Sequence, residues 1–152
     1  MIGDRQLSPR IAPLSGSDHE RWLALARGYK AFYKTATTDA EYERAWKRIL
    51  GEDGINGLGA HLDGRLVGIT HFLFHTATWA EQVCYLQDLF VDPEFRDRGV
   101  ARALIEAVGK TARERGAAKM YWHTHDHNAT ARALYDKVAK HNHFIRYDYT
   151  LA

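Results

Sequence analysis

The chain has one cysteine, Cys84, no apolar stretch long enough to cross a bilayer, and no large excess of charge of either sign. A single thiol excludes an internal disulfide framework and a multi-cysteine zinc site. It fits a reducing compartment, so a cytoplasmic location is expected. A membrane helix needs about 20 consecutive apolar residues, and no such run occurs. The N-terminus, with Asp4, Arg5 and Arg10 and no apolar block behind them, does not read as a signal peptide. No membrane partner is expected. The net charge of +2, with acids interleaved among the bases, is too mild to point to nucleic acid. Repeats, low-complexity tracts and linkers are also missing. What remains is 152 residues, 45% hydrophobic and 26% charged, the length and balance of one domain spanning 1–152 with a real core.

Periodicity gives the elements. Residues 11–14 read as a first strand. Ser17 and Glu20 are spaced as a capping box, with Trp22, Leu23, Ala26, Tyr29 and Phe32 or Tyr33 following at helical spacing. Thr38 and Glu41 repeat the start signal, and Tyr42, Ala45, Trp46 and Ile49 mark a second helix that Gly51 ends. The period then shortens. Residues 58–62, the pair Asp63-Gly64 and residues 65–75 read as a hairpin with a tight turn. Residues 82–91 form the next strand, and Leu104, Ile105, Val108 and Ala112 give a helix face closed by Gly116. A strand over 119–125, a helix capped by Asn128 and a last strand over 144–151 complete the order β-α-α-β-β-β-α-β-α-β, a mixed α+β domain.

The most telling segment lies between the strand at 82–91 and the helix after it. Arg96, Asp97, Arg98, Gly99, Val100, Ala101 and Arg102 form a basic, glycine-containing loop that runs into a helix start. Helix-start N–H groups lack intrahelical partners and the helix dipole favours an anion there, so this layout grips phosphates.

The spacing Arg96-x-x-Gly99-x-Ala101, followed by Asn128-x-x-Ala131-x-x-Leu134-Tyr135-Asp136-Lys137, resembles the two sequence marks of the GNAT family of N-acetyltransferases. Gly68 to Phe74, Trp79 and Tyr85 to Val91 look most like its small histone-acetyltransferase-like and polyamine or thialysine acetyltransferase branch. The resemblance implies a twisted, mostly antiparallel sheet flanked by helices, whose one parallel strand pair splays to admit a pantetheine arm. It implies an acetyl-CoA-dependent acyltransferase acting on a small-molecule amine, with acetyl-CoA as the acetyl-donor substrate. An acetyltransferase of protein or histone-like lysine and a non-catalytic acyl-CoA-binding module stay open beside it.

Residue by residue, the loop Arg96 to Arg102 is then expected to hold the pyrophosphate, and Leu89, Phe90 and Val91 to pair their backbone with the pantetheine amides. Asn128 either caps its helix, contacts the cofactor, or does both, and Lys137 lies in the same motif. Tyr135 is the expected acid for the thiolate. Polyamine-type relatives carry Glu where this chain has Gln87, so Gln87 is expected to orient a water or the amine rather than accept a proton. Asp88, Glu81, His71 and His75 are other candidate bases, with Asp88 placed opposite Gln87 by strand alternation. Tyr29, Tyr33, Trp79 and Tyr85 are the candidate acceptor pocket, suited to an amine by cation–π contact. His123, His125 and His127 alternate on a predicted strand, but lack the carboxylate spacing of a ligand set, so no metal is expected. Cys84 is read as packing rather than reacting. The edge of a terminal strand over 144–151 needs cover, and a second copy supplies it, so a homodimer is expected.

Overall fold

The computed structural model describes residues 8–152; Asp4 and Arg5, used above, lie outside them. The elements are β1 (Arg10–Pro13), α1 (His19–Phe32), α2 (Asp39–Leu50), β2 (Ile55–Leu62), β3 (Arg65–Ala77), β4 (Ala80–Val91), α3 (Val100–Glu114), β5 (Met120–Tyr121) and α4 (Ala129–Val138). They fall into two compact units, one up to Trp122 and one from His123 onward.

The first unit is a five-stranded sheet in the order β1-β2-β3-β4-β5. Neighbours are antiparallel except β4 and β5, which are parallel. The β2–β3 turn is Asp63-Gly64, both at positive φ (50° and 75°), the two-residue geometry that matches strand twist. Trp22, Leu25 and Ala26 of α1 and Tyr42 and Trp46 of α2 pack on one face of the sheet, over Leu66 and Ile69. Val100 and Leu104 of α3 pack on the other, against Ala60, Leu62 and Val67.

The cap predicted at α2 is present. The Glu41 N–H donates to Thr38 Oγ1 at 3.2 Å and the Thr38 N–H to Glu41 Oε2 at 2.7 Å. The one predicted at Ser17 and Glu20 is displaced. Ser15 and Asp18 form it instead, with the Ser15 N–H donating to Asp18 Oδ2 at 3.0 Å, because a 3-10 turn over Gly16–Asp18 precedes α1.

Two strand expectations are corrected. β5 ends at Tyr121 rather than His125, since its ladder with β4 closes after Cys84–Met120 and Tyr85–Tyr121. The histidines at 123, 125 and 127 therefore do not alternate on a strand. In the second unit, Asn128 caps α4 as predicted, its Oδ1 accepting from the Ala131 N–H at 3.4 Å. The strand over 144–151 does not form, because a strand needs a ladder partner and this stretch has none among the described residues. No helix among the described residues is long and apolar enough to cross a membrane.

Candidate active site

The site begins with an irregularity in β4. Against β3, His71 faces Asp88 but Phe72 faces Leu86, so Gln87 is an extra residue without an opposite number, a β-bulge. In a regular strand residues 86 and 88 share a face. The bulge separates them. Leu86 is buried beside Phe72, while Asp88 joins His71 on the side of α1. Strand alternation had put Gln87 and Asp88 on opposite faces; the bulge corrects this, and both line one cleft of about 440 Å³ between the sheet and α1 and α2.

Four side chains from three elements form a chain of hydrogen bonds at the base of this cleft. Trp22 Nε1 lies 3.0 Å from His71 Nε2, and His71 Nδ1 lies 3.0 Å from Asp88 Oδ2. An indole N–H can only donate, so Nε2 accepts and the imidazole proton sits on Nδ1, donated to Asp88. Tyr29 adds its hydroxyl to the same carboxylate. Burial pushes the Asp88 carboxyl up. The His71 bond, the Tyr29 hydroxyl and the nearby Lys30 outweigh it and hold Asp88 below the usual carboxylate range. Tyr29 moves the other way, raised well above an ordinary phenol by burial and then by the Asp88 charge, so it stays a donor. Tyr33 is raised by the same two causes. Asp88 keeps 29% of its side-chain surface exposed, so a ligand in the cleft can reach it.

Beyond Tyr85, β4 runs on from Leu86 to Val91 with no strand on its β5 side among the described residues, which leaves backbone N–H and C=O groups along that edge. Leu89 and Val91 pack toward α3, and Phe90 toward α1 and α2. The end of the strand is clamped. Arg21 of α1 donates to the Leu66 carbonyl at 3.0 and 3.2 Å and to Asp92 Oδ2 at 3.1 Å, while Asp92 Oδ1 accepts from the Glu94 N–H at 3.0 Å. The loop that follows thus leaves from a fixed point.

In that loop Asp97 and Gly99 both adopt positive φ (61° and 76°). Gly99 occupies the N-cap of α3, where it has no side chain to offer, so the first N–H groups of the helix face outward without a side-chain cap. Residues 96–99 are exposed and Val100 is buried, so the backbone turns its polar groups out and its first apolar group in. The Arg96 guanidinium lies over Phe90 (5.9 Å) and that of Arg98 over Phe95 (5.3 Å). Arg102 pairs with Glu106 at 2.9 Å. Ala101 sits half-buried in the first turn.

The candidate acceptor aromatics separate. Tyr29 lines the cleft, and Tyr33 packs on it with ring centroids 4.9 Å apart. Tyr85 is stacked on Tyr121 at 4.9 Å and within electrostatic range of Tyr29. Trp79 stands in the β3–β4 turn, 95% exposed and not part of the cleft lining. His75 is engaged at both nitrogens, donating from Nδ1 to the Thr76 carbonyl at 3.1 Å and accepting at Nε2 from the Tyr121 hydroxyl at 2.9 Å. Glu81 is exposed near the start of β4. Cys84 is fully buried and burial pushes its thiol up to about 11, which keeps it protonated and packed. In the second unit, Asn128 also donates to Thr124 Oγ1 at 3.3 Å, Tyr135 is half-buried on α4, and Lys137 is exposed in its last turn. Sequence reasoning missed Trp22 as the partner of His71, 49 residues away. It also missed Lys30 and Arg48 as cleft residues; their spacing on separate helices carries no signal that they converge.

The family model described as acetyltransferase (GNAT) matches residues 21–139. The D-amino-acid N-acetyltransferase HPA3 of Saccharomyces cerevisiae is 34% identical over 144 residues, 91% of this chain and 87% of that protein. Thialysine N-epsilon-acetyltransferase of Caenorhabditis elegans is 27% identical over 122 residues, 80% of this chain and 76% of its own. Among solved structures, the aminoglycoside N-acetyltransferase AAC(6')-Iy in complex with CoA has the same fold, with a TM-score of 0.84 at 21% identity over 95% of each chain. With a family model matched over most of its length, a parallel β4–β5 pair in its sheet and a relative above 30% identity, the chain belongs to the acetyltransferase (GNAT) family, which uses acyl-CoA, and is an N-acetyltransferase.

Proposed function

We propose that the protein, working as one domain in the cytoplasm, moves the acetyl group of acetyl-CoA to the primary amine of a small molecule. The acceptor class is an amino acid, a lysine-like amine or a polyamine, and the amine attacks the thioester directly within a ternary complex. The observation that carries this reading is the ionised, partly exposed Asp88 beside Gln87 in a cleft of small-molecule size. The names of the relatives, acting on D-amino acids and thialysine, support a small acceptor.

The donor lies along β4. Backbone groups of Leu89, Phe90 and Val91 take the pantetheine amides, and the outward N–H groups of the Arg96–Arg102 loop and the α3 start take the pyrophosphate. Asn128 and Lys137 complete the cofactor side. The amine nitrogen forms a bond to the acetyl carbonyl carbon as the carbon–sulfur bond breaks. A backbone N–H near Leu89 steadies the oxyanion. The amine proton passes to Asp88, directly or through a water that Gln87 orients. The thiolate takes a proton from the Tyr135 hydroxyl.

Asp88 is preferred as the base by elimination among the candidates. Both nitrogens of His71 and of His75 are engaged, Glu81 lies outside the cleft lining, and an amide does not accept a proton usefully. A carboxylate has about four acceptor sites, and His71 and Tyr29 use two of those of Asp88. Tyr29, with Tyr33 and Tyr85 beside it, is the aromatic group proposed to meet the acceptor; Trp79, exposed in the β3–β4 turn, has no part in it.

A panel of amines assayed by CoA release tests the function. Acetyl transfer to small amines is the expected result, whereas tight CoA binding with no amine acetylated would leave only a binding module. Gly99→Ala tests the donor loop. Nothing lies within 4 Å of a Cβ there, so the cost is conformational, about 1–2 kcal/mol for a left-handed residue. The KM for acetyl-CoA is expected to rise about 5- to 30-fold.

The same reading includes a homodimer. Ile145, Tyr147, Tyr149 and Leu151 alternate with polar residues and are each at least 75% exposed, a strand-like stripe that a second copy covers. Light scattering is expected to give the mass of a dimer for the full chain and of a monomer after truncation at His143.

A further inference from the structure

Apart from its tyrosines, the charged or titratable side chains lining the cleft are Lys30, Glu41, Arg48, His71 and Asp88. Their commitments differ. The Glu41 carboxylate closes the α2 cap, accepting from the Thr38 N–H at 2.7 Å. His71 is spent on Trp22 and Asp88. Asp88 retains acceptor capacity toward the cleft. Lys30 and Arg48, in the last turns of α1 and α2, carry no side-chain hydrogen bond or ion pair among the described residues. Lys30 is half-buried and close enough to Asp88 to depress its carboxyl, whereas Arg48 is exposed at the cleft wall. Cations at helix C-termini suit the helix dipoles. That role needs no place in a cleft lining, and these two share one with a carboxylate.

The cleft therefore presents the Asp88 carboxylate on the sheet and, on the helices that cover it, two cations without a side-chain hydrogen bond or ion pair against one carboxylate, Glu41, so that the helix wall carries an excess of positive charge. An acceptor with a single positive end meets Asp88 and leaves the excess positive charge of the helix wall unanswered. A polyamine brings a further ammonium toward Lys30 and Arg48, which repel it. A molecule with an amine at one end and a carboxylate a few bonds away satisfies both kinds of charge. Arginine adds a planar fork that binds a carboxylate through two parallel hydrogen bonds.

We propose that Lys30 and Arg48 bind the carboxylate of an acceptor whose amine lies at Asp88, so that the enzyme selects short amino acids and similar zwitterions over polyamines and simple amines. This rests on the acetyl-transfer reading above and deepens it by naming which end of the acceptor each group holds.

The test compares kcat/KM for acceptors that differ only in the carboxylate: D- and L-alanine against ethylamine, lysine against cadaverine, with spermidine as the polycation. The wild-type protein is expected to prefer the carboxylate-bearing member of each pair. In Lys30→Met and in Arg48→Gln the ratio of amino acid to simple amine is expected to fall about tenfold, as for loss of one charge-assisted contact of about 1.4 kcal/mol. In the double Lys30→Glu/Arg48→Glu variant, the ratio of spermidine to alanine is expected to rise above that of wild type. Circular dichroism melts check that each variant folds. A wild type indifferent to the carboxylate overturns the proposal, as do variants that lower both members of a pair equally. If instead wild type acetylates no amine at all, the acetyl-transfer reading itself has failed, which separates the two outcomes.

Discussion

Tyr135→Phe is expected to lower kcat by about 10²–10⁴-fold, the range for loss of one placed proton donor, with the KM for acetyl-CoA nearly unchanged. The proposed role of the phenol is confined to the last event of the transfer, when sulfur leaves and needs a proton. An interaction made only in the transition state shows in kcat and kcat/KM alike, and not in KM. Phenylalanine preserves the ring of this half-buried residue, so the change removes the hydroxyl and little packing. A thioester with a more acidic leaving thiol should react almost equally well with both proteins, because a good leaving group needs no acid. Steady-state kinetics with acetyl-CoA and with an activated thioester measure both effects. If kcat does not move, the acid lies elsewhere.

Asp88→Asn is the second large effect. It removes the charge proposed to receive the amine proton while keeping the size of the side chain. The expected loss in kcat/KM for the amine is again about 10²–10⁴-fold. The pH profile separates proton acceptance from mere contact. Wild type, with Asp88 ionised through the neutral range, should level off below the pKa of the free amine. The variant can use only amine that has already lost its proton, so its rate should keep climbing tenfold per pH unit up to that pKa.

Stability gives an independent reading. A carboxyl whose pKa is depressed on folding stabilises the protein above its unfolded value of about 3.9, and that contribution disappears as pH falls through the folded value. Wild type should therefore melt above Asp88→Asn at neutral pH, and the gap should close on acidification. A gap that is constant with pH contradicts the depressed carboxyl.

How much of this was readable in advance depends on distance along the chain. The Thr38–Glu41 cap, the Asp63-Gly64 turn and the Asn128 cap are local chemistry, and each formed where spacing placed it. The layout of the loop proposed to hold the donor was legible for the same reason, as strand, glycine and helix start follow one another directly. The acceptor side was not. His71 finds Trp22 across 49 residues and Asp88 across 17, and nothing in the local pattern of either signals the contact. The run Leu86-Gln87-Asp88-Leu89 reads as ordinary alternation, because a bulge depends on how the strand registers with its neighbour rather than on its own sequence. Residues 144–151 show the converse. Their alternation is that of a strand, yet a strand exists only when a partner accepts its hydrogen bonds. Trp79 illustrates a third limit: the family resemblance puts an aromatic near the site, and a turn carries it out into solvent.

The bulge also bears on how such an enzyme changes over evolutionary time. Residue 87 faces no partner on β3 and is exposed, so neither packing nor pairing restricts its identity. Its neighbours are less free: Leu86 is fixed by the core, and Asp88 by partners on two other elements, β3 and α1. Exchange of glutamine for glutamate at 87 should therefore cost little in folding, whichever of the two neighbouring positions is proposed to carry the proton. The extra residue gives the acceptor chemistry one position at which to vary, beside a framework that cannot.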